Sequence, residues 1–410
     1  MTVAPALIER EVVLPDAVPS FVPATPVAYD VVIVGAGPAG TACALALRHS
    51  GLRVALVDKA RFPRDKICGD AIPSPTLKYL ACLDPTYPTE LLALLAPHHA
   101  DTTHSRLLAP SGDELRIRWY NPAFNAPRLH FDAALLTLVR RHTTTDLLEN
   151  YSIRSLQPDA AGVALTPADP ALPALRATLV IGCDGANSVV ARHLTPQARL
   201  DRAHHCAAVR AYYRDVAEAP ENTSDFYFLR EHRAGYCWVF PVGGGVYNVG
   251  FGVLAEEVAA RRLDLKHELR ELLITHPHLA PRFAKAEQLT PITGFGLPLG
   301  GSGRPVHGPR VLLCGDAAAL IDPLQGHGID KAVQSGMLAA TQIQNCFQNQ
   351  RFDADYLANY GRQVHQHIGQ ELHRRYQLMR FLAGKAWLVN LVVRAARWPW
   401  LRRRLVQAVG

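Results

Sequence analysis

Three glycine-rich turns and one aromatic strand hold most of the residues whose type and spacing could do chemistry. The first turn is Gly35-Ala36-Gly37-Pro38-Ala39-Gly40, placed directly after the β-branched run Val31-Val32-Ile33-Val34. Gly35 suits the tight turn out of a strand, Gly37 lets a backbone approach a pyrophosphate, and Gly40 lets the following helix pack on the strand. Pro38 and Ala39 fall at the start of that helix, where free N–H groups and the dipole attract phosphate. Asp58, with Lys59 beside it, stands 18 residues past Gly40 at the end of the next apolar run. A carboxylate there can take the hydroxyls of an adenosine ribose. Two more apolar runs end in glycine and aspartate, Ile181-Gly182-Cys183-Asp184-Gly185 and Val311-Leu312-Leu313-Cys314-Gly315-Asp316. The third continues to Gly326-His327-Gly328-Ile329, where small residues would let amides reach a ring.

The aromatic set is Tyr236, Trp238 and Phe240, spaced by two and followed by Pro241, Gly250 and Gly252. On a strand that spacing points three rings to one face. The rings would wall a pocket or pack a core.

Elements must position these residues. A strand from Tyr29, a helix over 41–49 and a strand over 52–57 make a βαβ unit of about thirty residues, the seed of a parallel sheet. Helices are expected over 74–83, 89–95, 131–142, 256–275 and 328–349. Strand patterning fills 104–125, with turns at Pro110-Ser111-Gly112 and Asn121-Pro122, and returns over 150–181 and 205–253. Helix then continues to the C-terminus, broken at Pro399.

With the three turns in this order, the chain resembles flavoprotein oxidoreductases of the para-hydroxybenzoate hydroxylase fold. That resemblance implies FAD, with Asp316 and Gly315 at the ribityl chain. It puts Asp184 near the pyrophosphate in a largely structural role, and Gly326, Gly328 and Ile329 opening a helix aimed at the flavin. Tyr236-Cys237-Trp238-Val239-Phe240-Pro241 followed by Gly250-Phe251-Gly252 is similar to the YxWxFP…GxG signature of the geranylgeranyl reductase family, which shapes a substrate cavity beside the flavin and so implies Phe240, Pro241, Gly250 and Gly252 as pocket residues. Phe62-Pro63-Arg64 through Cys68-Gly69-Asp70, and Arg128-Leu129-His130-Phe131-Asp132, resemble that family's other loops. They imply FAD contacts from Arg64, Gly69 and Arg128. Cys68 either lies against the isoalloxazine or is a buried thiol; the resemblance favours the flavin.

Three reactions follow from such a resemblance. Reduced FAD delivers a hydride to a carbon–carbon double bond of an apolar, polyprenyl-like or conjugated substrate, with Tyr236 or Cys68 as proton donor and Trp238 at the reacting centre. Alternatively the enzyme is a monooxygenase of an aromatic or apolar small molecule, or a flavoprotein that passes electrons to a quinone. Halogenases of the fold carry a WxWxIP element, from which the sequence here departs. No second GxGxxG marks a nicotinamide domain, so NAD(P)H binding transiently or ferredoxin would supply electrons.

The expected fold class is α/β. A discontinuous Rossmann-like FAD domain takes 28–104, 128–204 and 305–349. A mixed β-sheet substrate domain takes 105–127 and 205–304, and a helical segment takes 350–410. Residues 1–27, rich in proline and interrupted by charge, read as a flexible leader. The eight cysteines form no CxxC pair, which argues against a metal site and for a reducing, cytoplasmic setting. Net charge is +7, much of it in the last forty residues. No interleaved basic and aromatic pattern suggests nucleic acid. The basic, apolar tail fits either a solvated helix face or peripheral contact with the inner face of a membrane.

Overall fold

The computed structural model describes residues 28–195, 201–232, 234–396, 398, 400 and 401. The leader over 1–27 and the break at Pro399 lie outside them.

The run Ala28–Val34 forms the centre of a parallel sheet because it is apolar on both faces and has helices to cover each side. Its neighbours are Val54–Val57 on one side and Leu175–Gly182 on the other, in parallel register. Asp146–Leu148 extends one edge and Val311–Leu313 the other. An antiparallel pair, Ile153–Pro158 with Val163–Pro167, hangs from Leu175–Ala177. The helix Pro38–Ala46 packs against Ile329–Asn349 closely enough that a Cβ on Gly336 would lie 2.3 Å from the Ala39 carbonyl. Both helices therefore start at the carboxyl ends of the central strands, where ligands of open α/β sheets bind.

The second sheet has nine strands. Ala100–Leu108 and Glu114–Asn125 pair as a hairpin, with Ala71–Ile72 added at its edge. Thr223–Tyr227, Gly235–Pro241, Val246–Leu254 and His205–Arg214 follow across the sheet. Cys237, Val239, Val249 and Phe251 point to one face and meet Leu265, Leu269 and Leu273 of the helix Leu265–Thr275 in a second core. The alternating positions Tyr236, Trp238, Phe240, Asn248 and Gly250 look the other way, with Trp238, Phe240 and Asn248 meeting the loop at Cys68 and Gly69.

Three expectations are corrected. Asn121-Pro122 is not a turn: the strand runs on to Asn125. The ladder jumps there from Thr102–Ala123 to His104–Arg118, so the proline falls in a gap where no N–H is needed. The helix expected over 256–275 is two helices, split at Arg262 (φ +53°) and restarted by the Asp264 side chain, which accepts from the Lys266 and His267 amides. The C-terminal helix is likewise several: Ala354–Val364, a π-turn over His365–Gly369, Gln370–Leu382 and Ala386–Ala395, the last two separated at Gly384 (φ +75°).

Candidate functional site

The first glycine turn makes a crevice floor. Gly35 sits at φ +106°, and a Cβ there would meet the Cys183 carbonyl oxygen at 2.3 Å, so only glycine fits. A Cβ on Gly40 would overlap the Gly35 carbonyl at 1.9 Å. Gly37 differs, because its missing Cβ faces open space bounded by two guanidiniums, Arg64 Nη2 at 3.8 Å and Arg128 Nη2 at 3.9 Å. The helix that begins at Pro38 has no side-chain cap. Unpaired N–H groups and two cations thus converge on one small space, the donor set a pyrophosphate requires.

Asp132, four residues after Arg128 on the helix Arg128–His142, holds both arginines. Its oxygens accept from Arg128 Nε and Nη2 at 2.6 and 2.7 Å and from Arg64 Nη1 at 2.7 Å. Burial would raise the Asp132 carboxyl, but Arg128 and Arg64 hold it below the usual carboxylate range. Asp58 does similar service. Both its oxygens accept backbone N–H groups, Ala36 at 2.8 Å and Ala60 at 2.9 Å, so it pins the phosphate turn as well as standing at the expected ribose position. Lys59 is exposed beside it. Asp184 caps a helix, accepting from the Ser188 hydroxyl at 2.5 Å and the Val189 amide at 2.6 Å.

The crevice continues to the third turn. Gly315 has φ +58° and packs on Ala39 and Ala332. Lys66 Nζ lies 2.8 Å from Asp316 Oδ2. Gly328 opens the helix Ile329–Asn349 and, like Gly37, carries no side-chain cap. His327 bonds Asp330 at 2.8 Å. Burial alone would lower the His327 pKa, yet the Asp330 and Asp322 carboxylates raise it, and Asp330 in turn is held at about 2.

The aromatic strand closes the far side. A Cβ on Gly69 would sit 3.5 Å from both Phe240 and the Trp238 Nε1. The Tyr236 hydroxyl donates to the Gln325 carbonyl at 2.5 Å, next to Gly326. Burial pushes its pKa well above that of a free phenol. Its proton is committed to a backbone oxygen, which weakens the expectation that Tyr236 donates it to a substrate. Phe226 packs edge-on against Tyr236 and Phe240 and completes the wall. Gly250 is obligatory: a Cβ there would lie 2.1 Å from the Trp238 ring. Gly252 lies beside Ala208 and Cys206. Pro241 is a correction, since alternation turns its side chain to the opposite face from Phe240; its carbonyl accepts from Asn125 Nδ2 at 2.9 Å. Cys68 is half-buried, and its carbonyl accepts from Asn248 Nδ2 at 2.7 Å.

Sequence reasoning gave no role to Lys66, Asp70 and Asp132, although they stand in the quoted loops, and did not single out Tyr212 or Asn248. Asp70 is fully buried and accepts from the Tyr212 hydroxyl at 2.6 Å and Asn248 Nδ2 at 2.8 Å. Burial raises its carboxyl to about 6, against the pull of Tyr212, Arg210 and Asn248. The signal available was Asn248 itself, a lone amide in the apolar run Val246–Leu254.

These residues thus run from paired arginines over a glycine turn, past Lys66 and Asp316, to Gly69 and Gly326 packed against an aromatic wall. Two uncapped helix starts, missing Cβ atoms and the paired arginines at Gly37 fit a dinucleotide cofactor such as FAD.

Comparison with known proteins agrees. An FAD binding domain family matches residues 28–374. A menaquinone reductase of Mycolicibacterium smegmatis is 32% identical over 325 residues, 76% of this chain and 75% of that protein. A digeranylgeranylglycerophospholipid reductase of Methanocella arvoryzae is 26% identical over 365 residues, 85% and 86% of the two chains. Among solved structures, a geranylgeranyl bacteriochlorophyll reductase-like protein of Thermoplasma acidophilum superposes with TM-score 0.78 at 23% identity, covering 89% and 90%. A flavin-dependent brominase superposes with TM-score 0.76 at 20% identity, covering 94% of each chain. The last two similarities concern the fold.

Fold and site together define an FAD-dependent oxidoreductase. Within that class, the chain belongs to the geranylgeranyl reductase-like family of FAD-binding proteins.

Proposed function

We propose that the protein reduces a carbon–carbon double bond in the prenyl-type chain of an apolar substrate, such as the side chain of a menaquinone or the lipid of a prenylated glycerophospholipid. Bound FAD supplies the hydride chemistry. The residues of the chain bind and orient. Arg64, Arg128 and the turn at Gly37 hold the pyrophosphate. Lys66 orients Asp316 toward the ribityl hydroxyls. Trp238, Phe240 and Phe226 wall an apolar space that excludes water beside the ring. Cys68, in the loop beside Gly69, is the proton donor in this reading.

The observation that carries this reading is the packing of Trp238 and Phe240 within van der Waals reach of Gly69 while Tyr236 locks onto Gln325, which puts an uncharged aromatic surface across from the expected ring position. The names of the relatives support the substrate class. The test is anaerobic turnover of FAD-loaded protein, chemically reduced, with menaquinone bearing an unsaturated side chain. Product gaining two hydrogens per bond, by mass spectrometry, supports the proposal. Oxygen-dependent gain of an oxygen atom instead would support the monooxygenase alternative. Adding NADPH or reduced ferredoxin in place of the chemical reductant identifies the electron donor.

A further inference from the structure

The C-terminal helices expose apolar surface that is left open among the described residues. Among the described residues, eight large hydrophobic side chains are exposed, and all but Ile274 lie between Leu378 and Trp400. Phe381 is 56% exposed, Trp387 65%, Leu391 55% and Trp398 62%. Three of the five tryptophans of the chain, Trp387, Trp398 and Trp400, stand here in solvent. Large apolar side chains exposed in such number on neighbouring helices mark an interaction site.

The helices are firmly seated by their other faces. Tyr376 and Met379 of Gln370–Leu382 pack on Leu254, Leu299 and Ile321. Val393 and Ala396 pack on Ala109, Leu115 and Ile117 of the hairpin. Asn390 accepts from the Ser111 amide at 3.0 Å, and Arg394 pairs with Asp113 at 2.6 Å. The apolar outer face is therefore a fixed feature of the fold.

Charge chooses its partner. From residue 372 to 410 there is no aspartate or glutamate, while Arg374, Arg375, Arg380, Lys385, Arg394, Arg397, Arg402, Arg403 and Arg404 are present. Arg375, Arg380 and Arg394 have acidic partners in the fold. The sequence still leaves the segment strongly cationic. Tryptophan and phenylalanine beside arginine and lysine, on helices with one face packed inward, are the composition of a surface that sinks into the headgroup layer of an anionic bilayer. No helix among the described residues is long and apolar enough to cross a membrane.

We propose that the outer face of Gln370–Leu382 and Ala386–Ala395 docks on an anionic lipid bilayer, with Phe381, Trp387 and Leu391 inserted among the lipids and Arg374 and Lys385 against the headgroups. Tyr376 and Met379, on the inner face of Gln370–Leu382, belong to a cluster against which Leu297 packs, and Leu297 also packs against the cluster of Trp238 and Phe240. Docking would thus bring the aromatic wall to within one helix of the acyl region. This last step rests on the proposed apolar substrate; the docking itself does not.

The test is co-sedimentation of the full FAD-loaded chain with vesicles of phosphatidylglycerol and phosphatidylcholine, beside vesicles of phosphatidylcholine alone. Binding is expected to the anionic vesicles, to weaken at least roughly tenfold on raising the salt, and to fall to a similar degree in W387S/L391S and in R374E/K385E. Both pairs are at the surface, and far-ultraviolet circular dichroism checks that they fold. Equal binding of these variants and the wild type, equal binding to both vesicle types, or failure to bind with self-association through this face on ultracentrifugation would overturn the proposal. Vesicle binding is read without substrate or turnover, so a failure of double-bond reduction leaves it standing, and the reverse.

Discussion

Asn248 spans the space between Trp238 and Asp70: its Oδ1 accepts from the indole N–H at 2.9 Å, and its Nδ2 donates to Asp70 Oδ2 at 2.8 Å. One amide therefore fixes the ring of the wall and the loop that carries Cys68 and Gly69. Replacing it with leucine takes the partner from the Trp238 indole N–H and from the Cys68 carbonyl, while Asp70 keeps Tyr212, at a cost of about 1–3 kcal/mol for each group stranded. Asn248→Leu should lower thermal stability and also free the Trp238 ring. Its fluorescence anisotropy should fall in a protein that keeps FAD. An unchanged melting temperature would show that water replaces the amide.

Asp70 gives a pH signature. Its folded pKa is raised by burial to about 6 from an ordinary value of 3.8, so the folded state binds the proton more tightly than the unfolded chain. The associated stability is fully present below the unfolded pKa and is lost as the pH rises through about 6. Asp70→Asn removes this titration. The variant should be the less stable at about pH 4, where the wild type has its proton, and should recover by up to about 3 kcal/mol relative to the wild type by about pH 7. Denaturant melts across that range measure the difference, and a constant offset would mean that Asp70 does not titrate there.

Paired arginines separate folding from cofactor retention. Arg128→Met strands Asp132 with Arg64 alone, and losing one member of a buried pair costs about 3–5 kcal/mol. The double change Arg128→Met with Asp132→Leu removes both charges and should regain most of that stability. It should not regain FAD, because one of the two guanidiniums at Gly37 is still missing. Visible absorbance after desalting reads the second effect and thermal melting the first.

The two glycines of the first turn should fail differently. Gly35→Ala forces a side chain into the Cys183 carbonyl at a positive φ, so the sheet itself must shift and soluble yield should drop. Gly37→Ala has room, its Cβ 3.8 Å or more from the nearest atoms. That variant should fold with a near-normal melting temperature in the absence of cofactor and bind FAD more weakly, since the methyl occupies the space left for phosphate. Tight FAD binding by Gly37→Ala would move the pyrophosphate elsewhere.

The sequence disclosed features that depend on local geometry. Gly35, Gly37 and Gly40 follow from a strand-to-helix turn, and Tyr236, Trp238 and Phe240 share a face because strands alternate. What it concealed depends on contacts between distant segments. Lys66 meets Asp316 across 250 positions, and no local pattern links them. Asp70, Tyr212 and Asn248 come from a loop and two strands, and only the closure of one domain on the other makes them neighbours. Pro241 was placed in the wall because it belongs to the motif, although the same alternation that aligns the three aromatics turns it away. The break at Arg262 was missed because Asp264 reads as a surface charge until its capping of two amides is seen.

Tyr236 and Cys68 can be told apart as proton sources. The Tyr236 hydroxyl is bound to the Gln325 carbonyl and its pKa is raised by burial, so its proton is held. Tyr236→Phe removes that hydrogen bond and should cost about 0.5–1.5 kcal/mol of stability. The Gly326 turn should loosen, which would raise the FAD dissociation constant. The rate of substrate reduction by FAD-saturated, prereduced protein should then fall by no more than about tenfold, whereas removing a true general acid costs about 10²–10⁴-fold. Cys68→Ala, by contrast, should fall in the larger range and show a loss of the solvent isotope effect on turnover. If Tyr236→Phe shows the larger loss and Cys68→Ala the smaller, the proton comes from the tyrosine and the bond to Gln325 must open during each cycle.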